Sequence, residues 1–314
     1  MKQEKKWKLP SALQSREGWS RFLELRRSFE PHLHQIEPTN ACPYSCIMCP
    51  RDTFMTRPVG FMDFALYVKV IDEVADYSLP VREKEVELFH FGESLLHPEI
   101  AEMVAYGAGK GLNLVLSVNA PQLSPDLAEK ILAKDPIKLI ISMDGFDAES
   151  YRKIRGKNAD FTLAVENLEA VLKMMKTHGS RSRVIIRMIR MQANLQAEEQ
   201  FRSRWQDLGG AVEIRDFFPW NKKELIPLGA VEKYPPHMPC PFPWQYLVVQ
   251  WNGDVVPCCR DFNAVNCMGN VADSTLKEIW NSSAYERFRD SMSQENYEPS
   301  MCAECMEIYG SSQE

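Results

Sequence analysis

From His32 onward, short apolar runs alternate with longer stretches in which apolar residues recur at helical spacing. The runs at 32–37, 85–91, 113–118, 138–143, 183–191 and 212–217 predict six strands, and of the last five all but 85–91 are rich in Val, Ile or Leu. Helical patterns at 63–77, 98–110, 125–134, 161–177 and 196–208 fill the gaps. This alternation predicts an α/β fold in which a parallel sheet, open or curled into a partial barrel, carries helices on its outer face. In such folds the chemistry sits at the carboxyl ends of the strands. Residues 1–31 read as a short N-terminal extension with one amphipathic helix, Trp19, Phe22, Leu23 and Leu25 lying on or near one side. After Trp220 the texture changes, and Pro227, Pro235, Pro236 and Pro239 mark a linker over 223–239. A second module, 240–314, opens with an apolar strand at 246–251, a hairpin turn at Asn252-Gly253, a return strand at 255–257 and a helix around 276–292.

The chain has 314 residues, enough for one large domain or a medium one with a small companion. Its net charge is −6 and its basic residues are scattered, which argues against nucleic acid and for a small or peptidic substrate. The Lys-rich segment 1–10 is followed by no apolar h-region, and no stretch approaches the roughly 18 apolar residues of a membrane span. A cytoplasmic protein without a membrane partner is expected. Nine cysteines in a reducing compartment point to metal binding or catalysis instead of disulfides. Three sit at Cys42, Cys46 and Cys49, and six lie between Cys240 and Cys305, which implies two separate metal sites.

Cys42-Pro-Tyr-Ser-Cys46-Ile-Met-Cys49 is a C-x3-C-x2-C loop directly after the first strand. Three thiolates can bind three irons of a [4Fe-4S] cubane and leave the fourth open. A structural zinc ion would need a fourth protein ligand, and the closest histidines, His32 and His34, belong to the preceding strand. In this motif and the order of those after it, residues 32–222 resemble the radical S-adenosylmethionine (radical SAM) superfamily. The resemblance implies a partial (β/α)6 TIM barrel. It also implies S-adenosylmethionine chelated to the open iron, reductive cleavage to a 5′-deoxyadenosyl radical, and an electron donor of flavodoxin or ferredoxin type.

Further segments fit the same template. Tyr44 stands where relatives place an aromatic residue near the adenine. Phe91-Gly92-Glu93-Ser94 is similar to the family's Gly-Gly-Glu motif, with Phe91 in place of the first Gly, so Gly92 and Glu93 are expected to receive the methionine amino group. Ser117 and Asn119 end the third strand, and Ser142 and Asp144 the fourth, where they could reach ribose hydroxyls or the carboxylate. Arg155, in Tyr151-Arg-Lys-Ile-Arg-Gly156, and Arg187, on the fifth strand, are candidates to pair with that carboxylate. The plain alternative for each is a helix cap, a turn or a surface charge.

Cys240 and Cys258 flank the hairpin, and Cys302-Ala-Glu-Cys305 follows the helix. Four such thiolates could hold either tetrahedral zinc or a fully ligated [4Fe-4S] cluster. The run through Gly253-Asp-Val-Val-Pro-Cys258, Met268-Gly-Asn270, Leu276-Lys-Glu-Ile-Trp280 and Cys302-Ala-Glu-Cys305 resembles the SPASM or, when shortened, twitch auxiliary-cluster module. That resemblance implies one auxiliary cluster on Cys240, Cys258, Cys302 and Cys305. Cys259 and Cys267 are then extra: buried small hydrophobes, a replacement ligand in the case of Cys259, or a catalytic thiol that returns a hydrogen atom to a carbon radical. The shortened module is similar to that of the aminocyclitol (2-deoxy-scyllo-inosamine) dehydrogenase type, which implies oxidation of a sugar-like alcohol. The competing expectations are a radical epimerase of a sugar or ribosomal peptide, a peptide-modifying SPASM enzyme, and a non-catalytic iron–sulfur or zinc scaffold. The 31 residues before the first strand are too few for a leader-peptide recognition domain, which weighs against the peptide reading. Arg215, Asp216 and Trp220, near the end of strand six, are candidates to face the substrate.

Overall fold

The computed structural model describes residues 10–134, 137–178, 181–230, 238–297 and 300–309. Its six parallel strands are β1 (Leu33–Ile36), β2 (Glu85–Glu87), β3 (Asn113–Asn119), β4 (Lys138–Ser142), β5 (Arg183–Arg190) and β6 (Ala211–Asp216). They lie side by side in chain order, each pair in parallel register. Side chains alternate along them as a strand requires. Leu114, Leu116, Leu139, Ile141, Val184 and Ile186 pack into the main core, while Val115, Ile140 and Ile185 form a separate cluster with Phe89 on the opposite, inner face.

The helices fall close to the predicted positions because each has a cap and an apolar stripe. Phe64–Ala75 starts where the Asp63 carboxylate accepts from the Ala65 and Leu66 amides, and it buries Tyr67, Val70, Ile71 and Val74, one face at helical spacing. Helix Ala148–Arg155 is not anticipated by apolar periodicity, since only Tyr151, Ile154 and Arg155 are buried on it. Its signal is the capping box of Asp147 and Ser150, with Gly156 at φ 95° ending it.

The second module joins the first through the sheet. Its hairpin, β7 (Leu247–Val249) and β8 (Asp254–Val256), continues the same sheet, with β7 parallel to β1 and the short β9 (Gly269–Asn270) beyond β8. Leu247, Val248 and Val249 are all fully buried, as in a strand covered on both faces. The helix expected around 276–292 is two, Leu276–Trp280 and Ser283–Ser293, because the Ser282 hydroxyl caps the second by accepting from the Tyr285 amide. Cys302 and Cys305 lie on a helix, Ser300–Tyr309. In the expected linker, Lys223–Leu228 is a 3-10 helix, and Pro235 and Pro236 lie outside the described residues.

The N-terminal helix Arg16–Arg26 packs on this module. Leu23 is buried among Trp244, Phe288, Met292, Met301 and Cys302, flanked by Trp19 and Phe22, whereas Leu25 is 77% exposed and leaves the predicted stripe. The Arg16 guanidinium donates to the carbonyls of Ser293 and Met292, both at 2.7 Å, and Trp19 Nε1 to the carbonyl of Pro239 at 3.0 Å. Among the described residues no helix is long and apolar enough to cross a membrane.

Candidate active site and auxiliary cluster site

The loop after β1 carries Cys42, Cys46 and Cys49 to one wall of a cavity of about 890 Å³, counting its open mouth, at the carboxyl ends of the strands. The unanticipated helix braces this loop. Ile47 N donates to Ile154 O at 2.9 Å, Asn158 Nδ2 donates to Pro43 O at 3.1 Å, and a Cβ on Gly156 would stand 2.5 Å from Ser45 Oγ. Burial pushes the Cys42 thiol up to about 11 and that of Cys49 up to about 12. Without a metal cation these sulfurs stay protonated at neutral pH; iron is what would turn them into ligands.

Tyr44, Gly92, Glu93, Ser117, Asn119, Ser142, Asp144 and Arg155 all line the same cavity. Gly92 has φ +112°, and a Cβ there would lie 2.4 Å from Thr39 O, so the second strand's exit loop runs directly against the segment leading into Cys42. Glu93 N donates to Ala41 O at 2.7 Å, closing that contact. The buried Glu93 carboxylate accepts from Leu95 N at 3.0 Å, Asn119 N at 2.7 Å and Asn119 Nδ2 at 2.6 Å. Burial nevertheless pushes its pKa up to about 7. Asn119 Oδ1 accepts in turn from Arg155, whose Nη2 lies 2.5 Å from Asp144 Oδ2. Burial would lower the Arg155 pKa, but the Asp144 carboxylate outweighs it and raises it. The guanidinium is thus largely compensated by the protein, and it lies 4.0 Å from Cys46 Sγ.

Arg187 is not brought to this cavity. Its Nε and Nη2 meet Glu213 Oε2 at 2.8 and 2.7 Å. Its strand alternation puts it on the inner face, but its side chain turns toward β6. Asp216 also turns away from the cavity and pairs with Arg190.

Cys240, Cys258, Cys302 and Cys305 line a second cavity, of about 450 Å³ counting its open mouth, with Arg260 and the apolar side chains of Phe242, Phe288, Met292 and Met301. Arg260 N donates to Cys258 Sγ at 3.3 Å and its Nη1 to Cys305 Sγ at 3.0 Å, as donors toward cluster sulfurs would. Cys259 and Cys267 line neither cavity. Cys259 Sγ lies 3.6 Å from Tyr246 Oη, while Cys267 is exposed, with Sγ 3.4 Å from Gly269 O. Among the described residues no three His, Cys, Asp or Glu side chains converge as they would on a single metal ion; the thiols of each set are spread along the walls of a cavity.

Sequence reasoning missed a buried polar junction next to the cavity-lining Phe91. Fully buried Glu37 accepts from Arg57 Nη1 and Nη2, each at 3.0 Å, and from the Phe91 and Trp251 amides, each at 3.2 Å. Burial pushes its carboxyl up, but His90 and Arg57 outweigh this and hold it at about 2. Phe91, in the place of the family's first Gly, is buried against Trp220 and Phe262, ring centroids at 4.9 and 5.6 Å. The one available signal was an acidic residue, Glu37, directly after the first strand.

Comparison with known proteins bears on both modules. The model of the Radical SAM superfamily matches residues 36–189, and that of the SPASM iron–sulfur cluster-binding domain matches residues 240–306. An AdoMet-dependent heme synthase of Methanosarcina barkeri (strain Fusaro / DSM 804) is 30% identical over 46% of this chain, a match that spans only 40% of that protein's length. The S-adenosyl-L-methionine-dependent 2-deoxy-scyllo-inosamine dehydrogenase of Niallia circulans is 21% identical over 87% of this chain and 92% of its own. The fold is similar to that of BtrN in complex with AdoMet and 2-DOIA, with a TM-score of 0.55 at 18% identity, covering 84% of this chain and 87% of that one. It is also similar to that of Streptococcus suis SuiB bound to its precursor peptide SuiA, with a TM-score of 0.67 at 12% identity, covering 86% of this chain and 69% of that one. The two domains imply a [4Fe-4S] cluster that binds S-adenosylmethionine, an auxiliary iron–sulfur cluster, and S-adenosylmethionine itself. With both motif sets in place on the matching fold, the chain belongs to the radical SAM superfamily and carries a C-terminal SPASM domain.

Proposed function

We propose that this enzyme is a radical SAM oxidoreductase that dehydrogenates a sugar-like or aminocyclitol alcohol with the help of one auxiliary [4Fe-4S] cluster. The observation that carries the reading is the adjacency of the two cysteine cavities: Trp220 lines the first and its chain neighbour Asn221 the second. A substrate beside the first site would therefore have an electron acceptor close by. When bound, the cofactors supply a 5′-deoxyadenosyl radical for removal of a hydrogen atom and an oxidant for the electron left behind.

The chain's own residues fit this division. Cys42, Cys46 and Cys49 would hold the first cluster, and Cys240, Cys258, Cys302 and Cys305 the second. Gly92 and Glu93 would receive the methionine amino group, with Glu93 held in place by Leu95 and Asn119. Ser117, Asn119, Ser142 and Asp144 would meet the ribose, with Tyr44 beside the adenine. Arg155, already engaged by Asp144 and Asn119, would position Asn119 and stabilise the charge near Cys46. Phe91 and Trp220 would keep water from the space between the sites. End-to-end similarity to a dehydrogenase, over 92% of that protein, supports the oxidative outcome.

A second reading, epimerisation, has one observation in its favour: Cys259 packs with Tyr246 next to His34, whose ring lies 4.4 Å from that of Tyr246, so a thiol does face the barrel side of the hairpin. Anaerobically reconstituted protein with dithionite tests the proposal. It is expected to bind about eight irons, as two cubanes require, to form 5′-deoxyadenosine, and to yield a carbonyl product without incorporating solvent deuterium. Fully loaded protein that forms no 5′-deoxyadenosine refutes the enzyme reading, and deuterium in a product of unchanged oxidation level replaces oxidation with epimerisation.

A further inference from the structure

Residues paired in register on neighbouring parallel strands point to the same face of the sheet. Arg187 pairs with cavity-lining Ser142, and Arg215 pairs with cavity-lining Ile189, so both arginines belong to the inner face that continues from the active-site cavity. Between them stands Glu213. Its Oε2 accepts from Arg187 Nε at 2.8 Å, and its Oε1 accepts from Arg215 Nε at 2.9 Å. Both carboxylate oxygens are therefore occupied, and the arginines hold one another's orientation through them.

What the triad has left over is donor capacity. Arg187 Nη1 and both Nη atoms of Arg215 have no partner among the described residues, and the Arg215 side chain is 58% exposed at the open edge formed by β6. The nearby Glu87 accepts on Oε2 from Gln35 Nε2 at 2.7 Å, with His34 Nε2 at 3.8 Å, and its carboxylate also faces both arginines at longer range. A cation arriving here would meet two guanidiniums, and the carboxylate between them, Glu213, already has both oxygens in use. An anion with two or more oxygens would instead meet unspent N–H groups in the fork geometry that arginine offers. We infer that the Arg187–Glu213–Arg215 triad is the substrate-recognition site and binds an anionic group, a carboxylate or a phosphate, on the polyol to be oxidised. The polyol part rests on the function proposed above; the anionic group rests on the triad alone. Glu213 is then a positioning residue that aims both arginines, and His34 and Glu87 are left to meet hydroxyls at the other end of the ligand.

The test is binding of named probes to the anaerobically reconstituted holoenzyme with S-adenosylmethionine present, followed by titration calorimetry. D-gluconate and D-glucose 6-phosphate are the anionic polyols, which also separate carboxylate from phosphate; myo-inositol is the neutral one and 2-deoxy-scyllo-inosamine the cationic one. At least one anionic probe is expected to bind tenfold or more tightly than either of the others. Arg215→Gln, at an exposed position that folding does not depend on, is expected to weaken it by about tenfold, and Arg215→Glu to shift the preference to the cationic probe. S-adenosylmethionine affinity measured in the same samples should stay within about twofold for both variants. Equal or tighter binding of the neutral or cationic probe, binding of none of the four, or an anionic affinity indifferent to Arg215→Glu overturns the inference. Loss of S-adenosylmethionine affinity in Arg215→Gln overturns it as well, since the residue would then serve the cofactor. The two proposals fail separately: an anion site with no carbonyl product leaves the triad standing and removes the oxidation, and a carbonyl product from a neutral polyol does the reverse.

Discussion

Leu23→Ala tests whether the N-terminal helix maintains the auxiliary site. Leu23 is 4% exposed and sits in a cluster with Trp244, Phe288, Met292, Met301 and the cluster-lining Cys302. Truncating a buried leucine costs about 2–5 kcal/mol, the transfer term plus the cavity left behind. The rings of Trp244 and Phe288 resist collapse into the cavity while Met292 and Met301 can partly fill it, so the cost belongs in the middle of that range. Even about 2 kcal/mol multiplies the opened population roughly 30-fold. The opening should be local, because the other contacts of helix Arg16–Arg26 are also with this module, through Arg16 to Ser293 and Trp19 to Pro239. Hydrogen exchange of the anaerobic holoprotein is the assay, with iron retention in the presence of a chelator measured beside it. Amides of Ser283–Ser293 and Ser300–Tyr309 should exchange at least tenfold faster while those of β3 and β4 keep their protection, and iron should fall toward about four per chain as the auxiliary cubane is lost. Unchanged exchange in those two helices, or equal iron loss from both sites, refutes the reasoning.

Gly92→Ala places a Cβ 2.4 Å from Thr39 O at a φ of +112°, a combination costing about 1–3 kcal/mol in backbone strain before any clash is relieved; S-adenosylmethionine affinity should fall at least tenfold, and an unchanged affinity by equilibrium dialysis would contradict the packing described. Glu37→Gln leaves the Arg57 guanidinium, 7% exposed, without its charge partner and should cost about 3–5 kcal/mol in urea unfolding at pH 7. Because the folded Glu37 carboxyl is held down at about 2, its stabilisation is fully present above the ordinary carboxylate pKa of about 4.3 and is lost as the pH falls through about 2; the gap between wild type and variant should therefore narrow in acid, and a gap that widens there would sink the assignment. Cys267→Ala, at an exposed position lining neither cavity, should leave product formation unchanged; if it stops turnover while 5′-deoxyadenosine still forms, the thiol is the hydrogen donor after all.

Local order made much of this protein legible before its structure. The C-x3-C-x2-C loop, the alternation of apolar strands and capped helices, and the order of Cys240, Cys258, Cys302 and Cys305 depend on residue type and spacing along the chain, and the strands and most helices formed within a few residues of the places that periodicity predicts. Helix Ala148–Arg155 escaped because its stability comes from a capping box and three buried residues, too little apolar repetition to register. The assembly was decided by contacts between segments distant in sequence. Pairing of β7 with β1 joined the hairpin to the barrel sheet, since the edge amides of β1 needed a partner and the wholly apolar Leu247–Val249 needed cover on both faces. The N-terminal helix went to the auxiliary module because its Leu23 stripe matched the apolar cavity around Cys302. Glu37 became a buried junction only where Arg57, Phe91 and Trp251 converged on it. Arg187 shows the limit most directly: the sequence places it on the fifth strand, but whether it turned to the cofactor cavity or to Glu213 depended on a charge that a neighbouring strand delivers 26 residues later, and no pattern along the chain encodes that meeting.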